Sequence, residues 1–528
     1  MSLVRNVLTV GGATLASRGL GFVRDTMIAA ALGTGPVADA FFVAFRLPNL
    51  FRRLFAEGAF ASGFVPLLVR ARDEVGAAGA RRFSGAALAV LLAVVIAVSL
   101  IAALAAPALV RLLAPGFVDD PAKFALTVDL TRICFPYLGC VSVVALLAGV
   151  LAAERRFLAA ALAPVLLNLV FIAALIGLAL AGRAPGPADG RVLAVAVVVA
   201  GVVQVVLLAI AVLAAGSTPN LRRPLFDDRL RRFGALAVPG LIAGGLTEIN
   251  VVVATMIASA EPGAVSWLYY ADRLYQLPLG VIGIAIGQVL LPEIAVGLFD
   301  PDRARADAVL SRALEAALAL ALPAAVALWV LAGPITVVLF QRGAFGAGDA
   351  VETTRAMAAL ALGLPGFVLV KVFSPAFYAR EDTRLPMAVG GVAVAVNVAL
   401  ALAFFPFVGW IAVPVATAAA GWINAALLAA ILIRRGHWRI DATLARRVPR
   451  LAVAATAMGL VVAIGGDLGA DLLAAARPLA VKGATLAVLV ALGLAVHGGL
   501  IVALGVVDRR TFRRRRADPP CPTPTDAA

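Results

Sequence analysis

Long apolar runs follow one another along the whole chain and are separated by short polar connections. Runs of about 20 residues or more are long enough to cross the roughly 30 Å hydrocarbon core of a bilayer as α-helices. They are continuous rather than alternating, which argues against the strands of a β-barrel. The pattern predicts an all-α polytopic membrane protein with fourteen transmembrane helices, at 8–31, 37–68, 84–112, 124–151, 158–181, 192–215, 233–258, 265–297, 311–340, 350–378, 386–406, 409–433, 449–467 and 479–506.

The composition supports the same class. Of the 528 residues, 62% are hydrophobic and 14% are charged, whereas an average soluble domain has about 25% charged residues. No phosphate-binding loop of the G-x-x-x-x-G-K-S/T type is present. No metal-site spacing is found among the cysteines and histidines, Cys134, Cys140, Cys521, His437 and His497. We therefore expect no catalytic residue, no metal and no cofactor, and a protein that is not an enzyme.

The formal net charge of +15 is unevenly distributed between the two sides of the predicted membrane. With the N-terminus in the cytoplasm, most Lys and Arg residues lie in cytoplasmic connections. The opposite connections hold Lys123, Arg183, Arg191, Arg342 and Arg477. This bias predicts a multi-pass protein of the bacterial cytoplasmic (inner) membrane with both termini in the cytoplasm. We expect the basic tail at 508–528 to be disordered and to contact anionic membrane lipids and not nucleic acid.

The chain also contains an internal repeat. "TMIAAALGTG" at 26 is echoed by "TMIASAEPGA" at 255, "APALVRLLAPGF" at 106 aligns Gly116 with Gly343, and Asn168 matches Asn397. Each half has six spans, so both halves enter the membrane in the same direction, as in transporters with parallel repeats. We predict a six-helix N-terminal lobe at 1–217, a six-helix C-terminal lobe at 218–436 and two additional helices at 437–507. Rocking of the lobes around a central cavity is the expected motion.

Several charged residues lie inside the predicted spans. Each charge near the middle of the bilayer costs roughly 2.5–3.5 kcal/mol on insertion scales, so these side chains must face water, one another or a ligand. Arg18, Arg24 and Arg273 lie well inside their spans. The planar guanidinium suits bidentate binding of phosphate. The sequence therefore predicts a cavity for an anionic ligand, with Arg24 and Arg273 on facing walls where their like charges repel.

Other polar residues have two interpretations each. Arg52, Arg53 and Glu57 either line the cavity or reach the cytoplasmic interface, with Arg53 and Glu57 as an i,i+4 pair. Asp25 and Asp272 either meet the ligand or serve as counter-ions of nearby arginines. Helical spacing also places Asp39 and Arg46 on one face of span 2. In span 8 a polar stripe comprises Ser266, Tyr269, Arg273, Gln276 and Gly280.

Three stretches of the chain have a specific pattern: "SRGLGFVRDTMIAA" at 17, "FRLPNLFRRLFAEGAF" at 45 and "WLYYADRLYQLPLG" at 267. With these stretches the chain resembles the MurJ (MviN) lipid II flippase family of the MOP transporter superfamily. The resemblance covers the whole chain. Members move the lipid-linked peptidoglycan precursor, an undecaprenyl-pyrophosphate-linked muropeptide, to the periplasmic leaflet. The resemblance implies the same role here in peptidoglycan biosynthesis, cell wall biogenesis and cell shape. It also implies alternating access, with the cavity arginines binding the pyrophosphate.

The resemblance assigns residues to this role. It implies substrate binding by Arg18, Arg24, Asp39, Arg52, Ser266 and Arg273. From their positions in or beside the same spans, Asp25, Arg46, Arg53, Glu57, Asp272 and Gln276 are expected as supporting residues. Spans 13 and 14 are expected to form a lipid groove for the polyprenyl chain. Some members have glutamate at the position of Gln276, and some bind sodium in the C-terminal lobe, for which this chain shows no ligand cluster. Glu248 and Lys371 are instead expected to form an ion pair in that lobe.

Two other functions stay open at this point. An exporter of drugs or of another polyprenyl-linked oligosaccharide in the same superfamily would share the architecture, although drug antiporters favour acidic cavities. A scaffold of the cell-wall machinery would transport nothing and would not need charges inside both lobes. Proteins of cell-wall synthesis are expected as partners in either case.

Overall fold

A helix lies in each of the fourteen predicted spans. The computed structural model describes residues 3–53, 63–182, 184–220, 231–232, 234–235, 248–298 and 303–506. Within this part of the chain, regular structure consists of α-helices and short 3-10 turns, and no strand is found. The first half contains α1 (Leu3–Leu32), α2 (Pro36–Arg53), α3 (Val65–Leu104), α4 (Ala106–Leu113), α5 (Pro121–Cys134), α6 (Pro136–Ala153), α7 (Leu158–Ala181) and α8 (Pro187–Ala214).

The second half continues with the same kind of element. Its helices are α9 (Glu248–Ala258), α10 (Ala264–Leu298), α11 (Arg303–Val330), α12 (Ala332–Phe340), α13 (Ala347–Tyr378), α14 (Arg384–Val408), α15 (Ala412–Arg434), α16 (Ala442–Leu468), α17 (Ala470–Leu473) and α18 (Leu479–Ala503). The α16 and α18 helices occupy predicted spans 13 and 14.

Three of the predicted spans are each built from two helices. The helix is interrupted at Ala105, Phe135 and Leu331, and in each case a proline lies in the first turn of the helix that follows. Proline lacks the N–H that would continue the preceding helix, but its fixed φ suits a first helical turn. Long apolar runs therefore hide short breaks that hydropathy alone does not show.

The apolar helices confirm a multi-pass membrane protein. Within the described residues, 9 helical segments are long and apolar enough to cross a membrane. One of them, 121–153, joins α5 and α6, and another, 384–434, joins α14 and α15. The α1 and α2 helices, which carry most of the candidate site residues, lie outside this set.

Packing divides the chain into two compact units. Unit 1 comprises Met1–Arg273, Leu339–Ala356 and Val394–Ala416, and unit 2 comprises Leu274–Val338, Met357–Ala393 and Thr417–Ala528. The units are defined by contacts, whereas the lobes at 1–217 and 218–436, the helix pair at 437–507 and the tail at 508–528 were inferred from the repeat and the span count. Those boundaries stay a prediction, and the tail lies outside the described residues.

Each unit has its own apolar interior. In unit 1, α7 packs against α1 and α8, and α6 packs against α3 and α8. The rings of Phe41 and Phe171 meet there at a centroid distance of 6.3 Å. In unit 2, α16 packs against α11 and α18, and Leu318, Leu451 and Val506 form a buried cluster. Burial of this kind fixes the helices that carry the polar residues described next.

Candidate substrate-binding site

Arg24 and Asp25 lie side by side on α1 and are both buried in unit 1. The Nε and Nη2 atoms of Arg24 donate to Oδ1 of Asp25 at 3.0 and 2.7 Å. Its Nη1 donates to Oδ1 of Asn168 on α7 at 3.0 Å, and the guanidinium lies 5.5 Å from the ring centroid of Phe171. Since every nitrogen of the guanidinium has an acceptor, Arg24 is held in place by the protein in this conformation.

Asn168 joins this pair to the backbone of α1. Its side-chain nitrogen donates to the carbonyl of Ser17 at 2.9 Å. The amide therefore hydrogen-bonds both the backbone of α1 and the guanidinium of Arg24. The matching Asn397 in the second half hydrogen-bonds Asn250 on α9. In the sequence, Asn168 is visible only as a match of Asn397 in the repeat, and it was not among the predicted site residues. A polar amide within an apolar span was the signal that would have found it.

The carboxylate of Asp25 also receives groups from α10. The Tyr269 hydroxyl donates to Oδ1 of Asp25 at 3.2 Å, and Nε of Arg273 lies 3.4 Å from Oδ2. Arg273 also donates from Nη2 to the Tyr269 hydroxyl at 3.2 Å and covers its ring at 4.8 Å. Phe42 also stacks on the Tyr269 ring, with ring centroids 3.8 Å apart. Asp25 is thus in contact with both Arg24 and Arg273 and serves as their shared counter-ion, which offsets the repulsion between the two like charges in this conformation.

Arg273 keeps donors that the protein does not use. Among the described residues, only its Nη2 makes a hydrogen bond. Its Nε atom is buried, and although it lies at ion-pair distance from Asp25, it makes no hydrogen bond there. Two guanidinium groups share one carboxylate, so Arg24, Arg273 and Asp25 together carry one excess positive charge. This arrangement can accept an anionic oxygen without displacing a protein partner.

Arg18 and Arg46 extend the positive charge along α1 and α2. Arg18 is exposed on α1 and has no hydrogen-bond or ion-pair partner within the described part of the chain. Arg46 is half-buried and donates from Nη1 to the carbonyl of Val251 at 3.1 Å. The carboxylates of Asp272 and Glu248 lie within electrostatic range of its guanidinium. Arg46 is therefore compensated, whereas Arg18 is not.

The structure does not describe every predicted residue. The backbone of Arg52 and Arg53 belongs to the last turn of α2, but their side chains lie outside the described residues, as does the whole of Glu57. Their assignments, including the pairing of Arg53 with Glu57, stay predictions.

The proposed ion pair of the C-terminal lobe also stays a prediction. Glu248 is buried in unit 1, whereas Lys371 and Gln276 belong to unit 2. The exposed Lys371 side chain lies across Gly283, where an added Cβ would be 2.5 Å from it. Within the described residues, no cluster of His, Cys, Asp or Glu is arranged to hold a metal ion.

Asp39 on α2 forms a second buried polar group in unit 1. Its side chain is completely buried, and Oδ2 accepts from Nζ of Lys123 at 2.7 Å and from the backbone N–H of Gly263 at 2.9 Å. Oδ1 accepts from the backbone N–H of Ser266 at 3.0 Å and from its hydroxyl at 2.6 Å. Lys123 also lies 3.9 Å from the ring centroid of Phe117. Both carboxylate oxygens are therefore occupied, and a ligand has no access to Asp39 in this conformation.

Lys123 was missed as a site residue. In the sequence it stands among the charges of a connection, and its position at the start of α5 gives no sign of burial. In the structure it is one of two buried lysines in the described residues, with Lys482. Its carboxylate partner lies 84 positions earlier in the chain.

Two close backbone contacts in unit 1 follow the internal repeat. A Cβ at Gly116 would lie 2.3 Å from the carbonyl oxygen of Ser259, and a Cβ at Gly343 would lie 2.3 Å from that of Ala30. Gly116 aligns with Gly343 in the repeat, and Ala30 aligns with Ser259. Each half thus contributes one glycine and one carbonyl, and the same contact is made twice. These residues all lie in unit 1, on the predicted periplasmic side.

Comparison with known proteins shows the family of the chain. Residues 28–469 match the family model described as lipid II flippase MurJ. The chain is 48% identical over 515 residues to the probable lipid II flippase MurJ of Rhizobium meliloti (strain 1021), covering 97% of this chain and 96% of the relative. The chain belongs to the MurJ family.

Solved structures agree with the MurJ fold. A lipid II flippase MurJ in an inward closed conformation superimposes with a TM-score of 0.75 at 21% identity, covering 96% of this chain and 99% of that one. An inward-facing MATE multidrug resistance transporter of the MOP superfamily gives 0.67 at 16% identity, covering 79% and 94%. At these identities the likeness shows the fold alone. Membership of the MurJ family classes the chain as a transporter and not an enzyme, as the sequence predicted.

Proposed function

We propose that this protein moves lipid II from the cytoplasmic to the periplasmic leaflet by alternating access, and that Arg18, Arg24 and Arg273 bind its pyrophosphate. The observation that carries the proposal is that the buried Arg24 and the part-buried Arg273 share Asp25, and that among the described residues only Nη2 of Arg273 makes a hydrogen bond. The curated relative is named for the same activity. No bond needs to be made or broken, so binding and release on opposite sides suffice.

The arrangement distinguishes the roles of the arginines. A phosphate oxygen that reaches the part-exposed Arg273 guanidinium finds Nη1 without a hydrogen bond among the described residues, and guanidinium–phosphate hydrogen bonds are among the strong charge-assisted kind. Arg24, held by Asp25 and Asn168, supplies positive charge at a fixed position. Arg18, nearly two helical turns earlier on α1, extends the charge toward the second phosphate. Exclusion of bulk water strengthens each of these interactions.

The Asp39 contacts and the glycine contacts support alternation. Lys123 and Asp39 both belong to the first half, whereas Gly263 and Ser266 belong to the second. When the halves separate on the predicted periplasmic side, Asp39 loses three hydrogen bonds but keeps its counter-ion. Water can replace the lost donors, so the separation leaves no unpaired buried charge. We infer that this side opens to release the substrate.

The polar groups also bear on the competing functions. A cationic drug would meet Arg18, Arg24 and Arg273 with Asp25 already occupied, which disfavours a drug exporter. An exporter of another polyprenyl-linked oligosaccharide would use the same pyrophosphate contacts, and the sugar and peptide of the ligand must separate it from a lipid II flippase.

Binding of purified protein to lipid II tests the proposal. Arg273→Ala should weaken binding about tenfold or more, because a hydrogen bond to a charged group contributes roughly 1.5–3 kcal/mol. Arg273→Lys should recover only part of the affinity, since it lacks the planar fork. The exposed Arg191, paired with Asp129 at 2.7 Å, provides the control Arg191→Ala, which should bind normally.

The choice of ligand separates the alternatives. A lipid II flippase should prefer lipid II to a polyprenyl pyrophosphate without sugars. Equal affinity for the two would remove the support for lipid II as the substrate. Normal binding and normal growth with Arg273→Ala, at equal expression in cells that depend on this protein, would show that the arginine assignment is wrong.

A further inference from the structure

The first part of α3 and the segment that follows α8 enclose an open cavity of unit 1 on the predicted cytoplasmic side. Its volume is ≈ 390 Å³, within the usual range of about 300–1,000 Å³ for small-ligand pockets. It is lined by Ala78, Arg81, Arg82, Thr218, Pro219 and Asn220. The first three residues belong to α3, and the others follow α8.

The walls of the cavity are held together by specific contacts. The backbone N–H of Asn220 donates to the carbonyl of Arg81 at 2.9 Å. Gly85 permits this approach, because a Cβ there would lie 1.9 Å from the carbonyl oxygen of Asn220. Three residues before Asn220, the Ser217 hydroxyl donates to Oε1 of Glu154 at 2.8 Å. The segment after α8 is therefore fixed against α3, and the cavity is a built feature of this surface.

The charge inside the cavity is positive and uncompensated. Arg81 and Arg82 are exposed, and among the described residues neither guanidinium makes a hydrogen bond or an ion pair. The nearby Glu154 does not neutralise them, because it already accepts from Arg72 at 2.7 Å and from Ser217. The remaining polar lining, the Thr218 hydroxyl and the Asn220 amide, is neutral. Two adjacent guanidinium groups with free donors form a site suited to phosphate.

The position of the cavity indicates where the phosphate comes from. Soon after Arg82, α3 becomes an apolar helix that continues to Leu104, and its exposed side chains include Leu100 and Ile101. Arg81 and Arg82 therefore stand where an apolar span ends, at the depth of lipid headgroups. We propose that the cavity binds a phosphate group and that the headgroup of an anionic phospholipid supplies it. The proposal is independent of the lipid II assignment.

A fluorophore at Ala78→Cys, in a background lacking Cys134, Cys140 and Cys521, reports ligand entry. Purified protein is titrated with six-carbon phosphatidylglycerol, with phosphatidylcholine of equal chain length and with inorganic phosphate. We expect a saturable response to phosphatidylglycerol that Arg81→Ala/Arg82→Ala weakens by about a hundredfold, roughly tenfold for each guanidinium. The matched control is Arg70→Ala, which removes an exposed arginine of α3 outside the cavity and should change the affinity less than twofold, as an order-of-magnitude bound for screened surface charge.

Several outcomes would overturn the proposal. An equal loss with Arg70→Ala would show a diffuse charge effect, and an equal response to phosphatidylcholine would exclude selection of anionic headgroups. An equal affinity for inorganic phosphate would refute the lipid source. If the double alanine variant unfolds, Arg81→Lys/Arg82→Lys keeps the charge and loses the fork, and it should bind with intermediate affinity. Native mass spectrometry of unlabelled protein gives a second measurement: fewer phosphatidylglycerol molecules should be retained by the double variant than by Arg70→Ala.

Discussion

At the residue scale, two of the buried carboxylates, Asp25 and Asp39, each accept hydrogen bonds from donors in distant parts of the chain. Asp25 accepts a hydrogen bond from the hydroxyl of Tyr269, which lies 244 positions away in the sequence. Asp39 accepts one from the backbone N–H of Ser266, which lies 227 positions away. A buried charge is tolerated only when it is paired and hydrogen-bonded. From the sequence one could therefore predict that these residues lie inside spans and must have hydrogen-bond or ion-pair partners. The identity of the partners could not be predicted.

The same limit explains which residues were missed. Arg24, Arg273 and Asp39 stood out because charge is rare inside apolar runs. Lys123 did not, because a lysine at the end of a span is ordinary. Tyr269 was visible in the polar stripe of span 8 but carried no charge to mark it. Partnership depends on tertiary packing, which the local pattern does not contain.

The Asp39–Lys123 pair should show a strong asymmetry between its two members. Asp39→Asn removes the negative charge that is paired with the buried Lys123, and removing one charge of a buried ion pair typically costs about 3–5 kcal/mol. Lys123→Met should cost less, since Asp39 keeps three hydrogen bonds from Gly263 and Ser266. Denaturant unfolding of the single and double variants in one detergent measures the coupling, expected at about 1–3 kcal/mol.

An exposed pair serves as the control for this cycle. Arg191→Ala breaks the exposed contact with Asp129 and should cost no more than about 1 kcal/mol. Strictly additive effects of Asp39→Asn and Lys123→Met would show that the two groups do not stabilise each other.

At the element scale, the apolar pattern predicted the location of the spans, while their joints depend on particular side chains. Arg72 of α3 contacts Glu154, the residue after α6, at 2.7 Å, and Ser217, just after α8, donates to the same carboxylate at 2.8 Å. The Glu154 side chain thus connects α3 with the residues that follow α6 and α8. Hydropathy could not show this, because loop charges look alike in sequence whether they face water or one another.

The Glu154 joint predicts a dependence of stability on pH. Partial burial tends to raise the pKa of Glu154, but hydrogen bonds from Arg72 and Ser217 outweigh it and hold the pKa below its ordinary value of 4.5. A depressed carboxyl pKa stabilises the fold above the ordinary value, and this stabilisation is lost as the pH falls through the folded pKa. The Tm difference between the wild type and Glu154→Gln, measured by thermal unfolding, should therefore be largest near neutral pH and shrink below pH 4.5.

Glu261→Gln is the control for this measurement. Glu261 is exposed and has no ion pair within the described residues, so its replacement should leave the pH profile of Tm unchanged. A Tm difference for Glu154→Gln that stays constant into acid would contradict the role of the carboxylate.

At the scale of the whole molecule, the internal repeat becomes a pair of equivalent contacts. The sequence predicted the repeat and the matching of Gly116 with Gly343, but it did not show that each glycine seats a carbonyl of the opposite half. Ala30 and Ser259 are ordinary small residues at the ends of helices. Their role in the contact is visible only in the structure, where their carbonyl oxygens approach the two glycines. If these contacts hold the predicted periplasmic side closed, crowding one of them should shift the protein toward an open state.

Gly116→Ala provides that crowding, since its Cβ would lie 2.3 Å from the Ser259 carbonyl oxygen, well inside the normal contact distance of about 3.5 Å. Spin labels at Gly35→Cys and Gly348→Cys, in a background without the native cysteines, should report a larger population at long distance than in the parent. Both label positions are exposed, with nothing within 4 Å of an added Cβ. Gly177→Ala, equally unobstructed within α7, is the control and should leave the distance distribution unchanged. Addition of lipid II to the parent should populate the same long distances, because release requires this side to open. If Gly116→Ala gives a folded protein whose distances match the parent's, the glycine contacts do not control closure.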